Sequence, residues 1–153
     1  RSEMDGEVWV VDFMFTRCAG ICVPMSRRMV DFQEEGLPAR YLSVSVDPSY
    51  DGPPVLRGYR EKWDGDPETW TLVTGTQEAI ESLANDGFKL PAATRGDTGS
   101  DPAPMEGMPG MFHSGRFAVV DPSGRVRGYY DHSDELEMKR LRKDVRRLAR
   151  AGP

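Results

Sequence analysis

Two patterns of hydrophobic and polar residues alternate along this chain, one typical of buried strands and the other of amphipathic helices. Residues 7–15, "EVWVVDFMF", are apolar almost throughout and rich in β-forming side chains, which predicts a buried strand. Residues 39–48 and 69–75 show the same character and predict two further strands. Helical patterns follow each of the three, so strands and helices alternate along the chain.

The first helical pattern carries clear start and stop signals. Met25, Met29 and Phe32 recur at the spacing of one helix face. Pro24 suits a first helical turn, and Gly36 suits the position just beyond the last turn. The two following helices are predicted at about residues 53–63 and 76–86.

The last part of the chain predicts a β-hairpin followed by a helix. Residues 115–131, "GRFAVVDPSGRVRGYYD", alternate on both sides of an Asp-Pro-Ser-Gly turn at 121–124. A helix is predicted from Ser133 onward, with acidic residues at its start and arginines at its end, as the helix dipole favours. Its predicted apolar stripe consists of Met138, Leu141, Val145 and Leu148.

The predicted order of elements, βαβαβαββα, defines the fold class. Strands that alternate with helices are joined by right-handed crossovers and are therefore parallel, and the closing hairpin adds antiparallel pairing. We predict a thioredoxin-like α/β fold, a central mixed sheet flanked by helices, in one domain spanning residues 1–153. A Pro/Gly/Met-rich loop at about residues 89–112 is longer than an ordinary connection, so we expect it to be functional or mobile.

Composition excludes several classes of protein. The net charge of −5 argues against a general nucleic-acid binder, and we interpret the basic run near the end as the solvated face of the last helix. No apolar run approaches the roughly 20 residues of a membrane span. The chain starts without Met and enters a strand almost at once, so we expect any anchor or export signal to lie upstream.

Both cysteines of the chain lie in "TRCAGIC", residues 16–22. Cys18 follows the first predicted strand and Cys22 begins the first predicted helix, where residues four apart can point the same way and the helix dipole favours thiolates. Such a pair suits redox exchange or capture of a soft metal at the carboxyl end of a parallel strand. A plain disulfide and two inert buried thiols are the alternatives.

Two further residues, His113 and Asp47, are candidates for a site around these cysteines. His113 follows the long loop and precedes the hairpin, a junction that faces the cysteine-bearing helix in a thioredoxin-like fold. Two thiolates and one imidazole suit Cu(I) better than structural zinc, which needs four ligands. Asp47 ends the second strand and is a candidate for an outer contact of the site. We interpret His132, in "YDHSD", as a residue of the helix-capping region.

The methionines of "MEGMPGM" are a separate candidate. Met105, Met108 and Met111 recur every third residue, so all three would share one face of a polyproline-type helix. Thioethers are soft ligands for Cu(I), which makes these side chains a possible auxiliary copper site. The alternative is a flexible loop whose methionines pack on the surface, and the pattern favours neither.

Four segments together resemble the Sco/SenC family of copper metallochaperones: "VWVVDFMFTRCAGICVPM", "SVSVDPSYDGPPVLRGYREKW", "WTLVTGTQEAI" and "HSGRFAVVDPSGRVRGYYD". The resemblance runs in order over most of the chain. There are departures, because Ala19 and Val23 stand where the family usually has proline. "YDH" at residues 130–132 likewise replaces the more common "YDG".

The resemblance implies a thioredoxin fold anchored outside the cytoplasm, in the periplasm or on the outer face of the cytoplasmic membrane. It implies that Cys18, Cys22 and His113 bind Cu(I), and it leaves open whether Cu(II) also binds. The implied role is delivery of copper to the CuA centre in subunit II of cytochrome c oxidase, with an upstream copper donor or thiol reductant as a further partner.

Two other functions stay open at this point. The protein could be a thiol–disulfide reductase that reduces the cysteines of the CuA site, with Cys18 and Cys22 as its redox pair. It could also be a copper or redox sensor.

Overall fold

The computed structural model describes residues 4, 6–90, 93–94, 111–112 and 115–152. Strands and helices follow one another in the predicted order. The elements are β1 (Trp9–Met14), α1 (Cys22–Glu34), β2 (Arg40–Ser45), α2 (Pro53–Lys62), β3 (Trp70–Val73), α3 (Gln77–Ser82) with a π-helical continuation (Leu83–Gly87), β4 (Ala93–Thr94), β5 (Met111–Phe112), β6 (Arg116–Val120), β7 (Val126–Asp131) and α4 (Glu135–Ala151).

Five strands form the central sheet, in the order β3-β2-β1-β6-β7. β1 pairs with β2 and β2 with β3 in parallel, whereas β6 is antiparallel to both β1 and β7. The predicted mixed sheet with a closing hairpin is therefore confirmed, as is the thioredoxin-like α/β class. In the described part of the chain, none of the helices combines the length and the apolar character needed to cross a membrane.

Helices cover both faces of the sheet because the strands carry apolar side chains on both sides. In β1, Val11 and Phe13 belong to one buried cluster and Val10 to the other. The first cluster includes Cys22 of α1 and Ile80 of α3, and the second includes the other buried apolar residues of α1 and those of α4. All four predicted stripe residues of the last helix are buried: Met138, Leu141, Val145 and Leu148.

α1 ends where the sequence predicts. Gly36 has φ +64°, a conformation that favours glycine. The N–H of Gly36 donates to the Gln33 carbonyl at 3.0 Å, and the N–H of Leu37 donates to the Phe32 carbonyl at 3.1 Å. This pair of bonds is a Schellman stop, which fixes the carboxyl end of α1.

Two details of the fold differ from the sequence prediction. The third helix ends at Ser82 and continues as a π-helical turn. A two-stranded antiparallel ladder also pairs β4 with β5, and strands of two residues are too short to show a periodicity. This ladder joins two ends of the predicted 89–112 loop; Met105 and Met108 lie outside the described residues.

Candidate metal centre

A short loop between β1 and α1 brings the two cysteines together. The Cys18 N–H donates to the Phe15 carbonyl at 3.2 Å, so the chain turns back immediately after β1. Cys22 is the first residue of α1. Both residues are thiols, with 6% of Cys18 and 0% of Cys22 exposed, and their side chains are in hydrogen-bonding contact. The two sulfur atoms thus lie side by side at the start of α1.

The surroundings of Cys22 favour its protonated form. Burial raises the pKa of the Cys22 thiol above its ordinary value, and the hydrogen bond with Cys18 raises it further. A backbone hydrogen bond with Phe15 has the opposite, smaller effect. The expectation that the helix N-terminus favours thiolates is therefore not met at Cys22, because burial dominates. A metal that binds this sulfur must displace its proton.

Asp47 contacts the residue that precedes Cys18. Its buried carboxylate Oδ2 accepts hydrogen bonds from Arg17 Nη2 at 2.7 Å and from Arg17 Nε at 3.2 Å. The hydroxyl of Ser49 donates to the other oxygen at 2.9 Å. The Arg17 guanidinium also lies over the Tyr50 ring, 4.2 Å from its centroid. Asp47 therefore acts on the cysteine loop through Arg17.

Asp51 is a second buried carboxylate at this edge, and the sequence analysis missed it. Its Oδ2 accepts from the Thr16 backbone N–H at 3.0 Å and from the Ser45 hydroxyl at 2.6 Å, and its Oδ1 accepts from the Thr16 hydroxyl. Thr16 and Arg17 are thus both held by carboxylates that follow β2. The pairing spans 35 residues, and no local pattern indicates it.

Asp12 is a third buried acid that the sequence analysis missed. It lies within β1, is 1% exposed, and its charge contributes to raising the pKa values of Cys22 and Tyr59. Burial, the larger cause, raises the pKa of Tyr59 to about 12, and the hydroxyls of Tyr59 and Ser26 share a hydrogen bond at 2.7 Å. An acid inside the apolar run "VWVVDFMF" was the signal that could have identified it.

His132 lies two residues before the cap of α4, in the predicted capping region, but its ring does not cap the helix. Asp134 caps α4, because its carboxylate accepts from the N–H groups of Leu136 at 2.8 Å and Glu137 at 3.2 Å. The His132 ring instead contacts Gly115, with Nδ1 2.7 Å from the Gly115 carbonyl oxygen. The imidazole therefore links the end of β7 to the start of β6.

Gly115 immediately precedes β6 and lies close to the cysteine loop. A Cβ atom built on Gly115 would lie 3.7 Å from Cδ1 of Ile21, the residue before Cys22. His113 precedes Gly115 by two residues in sequence and lies outside the described residues.

The side chains that the structure brings together fit a soft metal in part. Two adjacent sulfur ligands are the donors that select Cu(I). Across residues 6–90 and 115–152, no group of three His, Cys, Asp or Glu side chains is arranged to hold a metal ion. A third ligand would have to come from outside this set, and the predicted His113 stays a prediction.

Comparison with known proteins identifies relatives over nearly the whole chain. The sequence profile of the SCO1/SenC family matches residues 1–150. The SCO1 protein homolog of Bacillus subtilis (strain 168) is 32% identical over 148 residues, which cover 94% of this chain and 72% of the relative.

Solved structures of similar proteins share the fold. A SCO1/SenC family lipoprotein from Bacillus anthracis str. Ames is 31% identical, with a TM-score of 0.80 over 97% of this chain and 84% of its own. BsSco, described with a disulfide switch and as a member of the Sco family of cytochrome c oxidase assembly proteins, is 27% identical, with a TM-score of 0.72 over 97% and 83%.

A more distant structure shares the fold alone. ScoI of Arabidopsis thaliana with copper bound is 18% identical, with a TM-score of 0.70 over 95% of this chain and 88% of its own. The family profile and the relatives above 30% identity cover nearly all residues of this protein. The chain belongs to the SCO1/SenC family.

Proposed function

We propose that this protein is an extracytoplasmic copper metallochaperone that binds Cu(I) through Cys18 and Cys22. The observation that carries the proposal is the contact between two buried thiols at the start of α1. Two soft donors side by side, shielded from water, suit a monovalent soft cation. The copper-bound state of a structural relative agrees with this choice of metal.

His113 is the proposed third ligand. Its support is the position of Gly115, which lies beside Ile21 and thus beside the cysteine loop. Two residues of chain span at most about 7 Å, so His113 starts within that distance of Gly115. The proposal is that the His113 imidazole reaches the loop that carries both sulfurs.

Copper is the cargo, and ligand exchange is the proposed chemistry. On loading, Cu(I) displaces the thiol protons of Cys18 and Cys22. On transfer, the partner's ligands form bonds to Cu(I) while the bonds to Cys18, Cys22 and His113 break, and each released sulfur regains one proton. No electron is transferred in this sequence, so the copper stays Cu(I).

The proposed partner is the CuA site in subunit II of cytochrome c oxidase, with an upstream copper donor or thiol reductant. The description of BsSco as a member of a family of cytochrome c oxidase assembly proteins supports this partner. The lipoprotein relative supports an anchored protein outside the cytoplasm.

A thiol–disulfide reductase is the second candidate, and the same thiol contact favours it. Cys18 would be the attacking residue because it is the less buried of the two, and Cys22 would close the internal disulfide. Two electrons would pass from the two thiols to the partner's disulfide, which would gain two protons. The raised pKa of Cys22 speaks against Cys22 as the attacking thiolate.

The decisive experiment compares Cu(I) affinity in the two oxidation states of the cysteine pair. Competition with a chromophoric chelator should show one tightly held Cu(I) per reduced protein and at least a hundredfold weaker binding after oxidation, more than the roughly 10–100-fold cost of losing an outer partner of a metal site. Equal affinities would contradict a site built on these two sulfurs.

His113→Ala separates chaperone from reductase. The variant should fail to mature an apo CuA domain when the protein is the sole copper source, yet it should still exchange with a small disulfide, because that exchange needs only the thiols. Full maturation by the variant under this condition would favour the reductase.

A further inference from the structure

The ring and the backbone N–H of His132 both contact the Gly115 carbonyl oxygen. Its Nδ1 lies 2.7 Å from the Gly115 oxygen, and its own backbone N–H donates to that oxygen at 3.0 Å. Since a carbonyl only accepts hydrogen bonds, Nδ1 carries the proton and donates. The side chain is only 12% exposed, so this hydrogen bond is largely shielded from water.

The contact leaves little room for a side chain at Gly115. A Cβ there would lie 3.1 Å from Nδ1 and 3.2 Å from Cε1 of His132. On its other side the same Cβ would meet Ile21 Cδ1 at 3.7 Å. In space, Gly115 therefore lies between the His132 imidazole, at the end of β7, and Ile21, the residue before Cys22.

Asp131 does not compete for the ring. Its Oδ1 is 3.8 Å from Nδ1, beyond hydrogen-bonding distance, and accepts from the backbone N–H and the hydroxyl of Ser133 at 2.8 Å and 2.6 Å. The Gly115 carbonyl is thus the partner of Nδ1, and the ring is fixed against the start of β6.

We propose that His132 is a positioning residue for the third copper ligand. The inference rests on the proposed function, in which His113 is that ligand. Two hydrogen bonds hold the Gly115 carbonyl, two residues beyond His113 in sequence, and they fix the point from which the chain enters β6. A ligand held near its binding geometry loses less freedom on coordination and therefore binds more tightly.

The test uses two substitutions that differ in one hydrogen-bond donor. His132→Asn offers an amide N–H close to where Nδ1 stands, whereas His132→Leu fills similar space without a donor. Cu(I) affinity should fall about tenfold in His132→Leu, the lower end of the cost of losing an outer partner of a metal ligand, and His132→Asn should recover most of it.

A double-mutant cycle shows whether the effect passes through His113. In a His113→Ala background, His132→Leu should cause no further loss of affinity, because the ligand that it positions is gone. The urea midpoint of each variant is measured alongside, because a purely structural role lowers that midpoint while the folded protein keeps its affinity.

Gly115→Ala provides an independent variant, since its Cβ would make a tight contact with the same ring, 3.1 Å from Nδ1. It should weaken Cu(I) binding as His132→Leu does, while Gly75→Ala, whose Cβ meets nothing within 4 Å, should not.

Three outcomes would overturn the inference. Full affinity in His132→Leu, with a clear loss in His113→Ala, contradicts it and leaves the proposed function standing. An equal loss from His132→Leu with and without His113 shows that His132 acts by another route. No loss in His113→Ala removes the third ligand itself, and with it both the copper site as proposed and this inference.

Discussion

The first turns of α1 and α4 are stabilised in different ways. α4 begins with a local cap, because Asp134 accepts from two N–H groups of the first turn and Glu135 and Glu137 place negative charge there. α1 begins at Cys22 after Ile21, which gives no side-chain cap, and its first turn contains no acidic residue. The helix that carries the cysteine therefore lacks the stabilising cap that the other helix has.

Support for the start of α1 comes from elsewhere in the fold. Asp51 and Asp47 hold Thr16 and Arg17, the two residues before Cys18. A carboxylate placed directly at the helix start would add negative charge beside the sulfurs and disfavour thiolates. Holding the loop through its preceding residues gives order without a carboxylate in the first turn. The comparison indicates that the start of α4 serves stability and the start of α1 serves function.

Removing Asp51 should have the largest effect on stability. Asp51→Ala leaves three donors without their acceptor, two from half-buried Thr16 and one from buried Ser45, so we expect the free energy of unfolding to fall by about 3 kcal/mol. Cu(I) affinity should fall as well, because Thr16 lies two residues before Cys18. Urea denaturation and chelator competition measure the two effects.

Two controls make the Asp51 result specific. Asp51→Asn keeps one acceptor oxygen, and the hydroxyls of Thr16 and Ser45 can rotate, so it should lose about half as much stability. Asp86→Ala, at an exposed position of the π-helical turn, should change stability by no more than about 0.5 kcal/mol. Equal effects of Asp51→Ala and Asp86→Ala would show that the loop does not depend on its distant carboxylate.

The two helix starts also show what the sequence could predict. The cap of α4 is local, since Asp134 and the first-turn acids stand next to the residues they stabilise, and the sequence identified this start correctly. The strands and the Gly36 stop were predictable for the same reason, because their signals are periodicities or single residues in short windows. The two-residue ladder and the π-helical turn were not predicted, because they have no periodicity.

The site was predictable only where its residues adjoin in sequence. The spacing of Cys18 and Cys22 predicted their contact, whereas His113, which the resemblance implies, stays a prediction. Asp51 reaches Thr16 across 35 residues, and only the parallel pairing of β1 with β2 brings them together. The contact of the His132 ring was not predicted, because its neighbours in sequence suggested a cap, whereas its partner Gly115 lies just before the adjacent strand β6.

At neutral pH the titratable groups at the two helix starts should differ in charge, with Cys22 of α1 protonated and Glu135 of α4 ionised. Cys22 keeps its proton because its pKa is raised, so Cu(I) affinity should rise about tenfold per pH unit for each proton displaced. Arg28 lowers the pKa of Glu135 at the start of α4, so this carboxylate is already ionised and contributes no slope. Chelator competition at pH 6, 7 and 8, corrected for the chelator's own protons, measures the slope.

The Cys22→Ser variant should show a slope smaller by one proton. An affinity that does not change between pH 6 and 8 would contradict a protonated Cys22. For folding, the signs follow from the same shifts. The contribution of Cys22 is present below its ordinary pKa of 9.0 and is lost as pH rises, while that of Glu135 is present above 4.5 and is lost as pH falls.

Removing the cap of α4 should have the smallest effect on stability, and it should change stability without changing Cu(I) affinity. Asp134→Ala deprives the N–H groups of Leu136 and Glu137 of their acceptor, so we expect a loss of about 1 kcal/mol, or a Tm lower by about 2–4 °C. Asp134→Ser should restore most of the stability, because serine also caps helices well. Cu(I) affinity should stay unchanged, since Asp134 contacts the first turn of α4 and the cysteine loop is held by Asp47 and Asp51. If Asp134→Ala weakened copper binding as strongly as Asp51→Ala, the two helix starts would not be separate in function, and the division between a stabilising start and a functional one would be wrong.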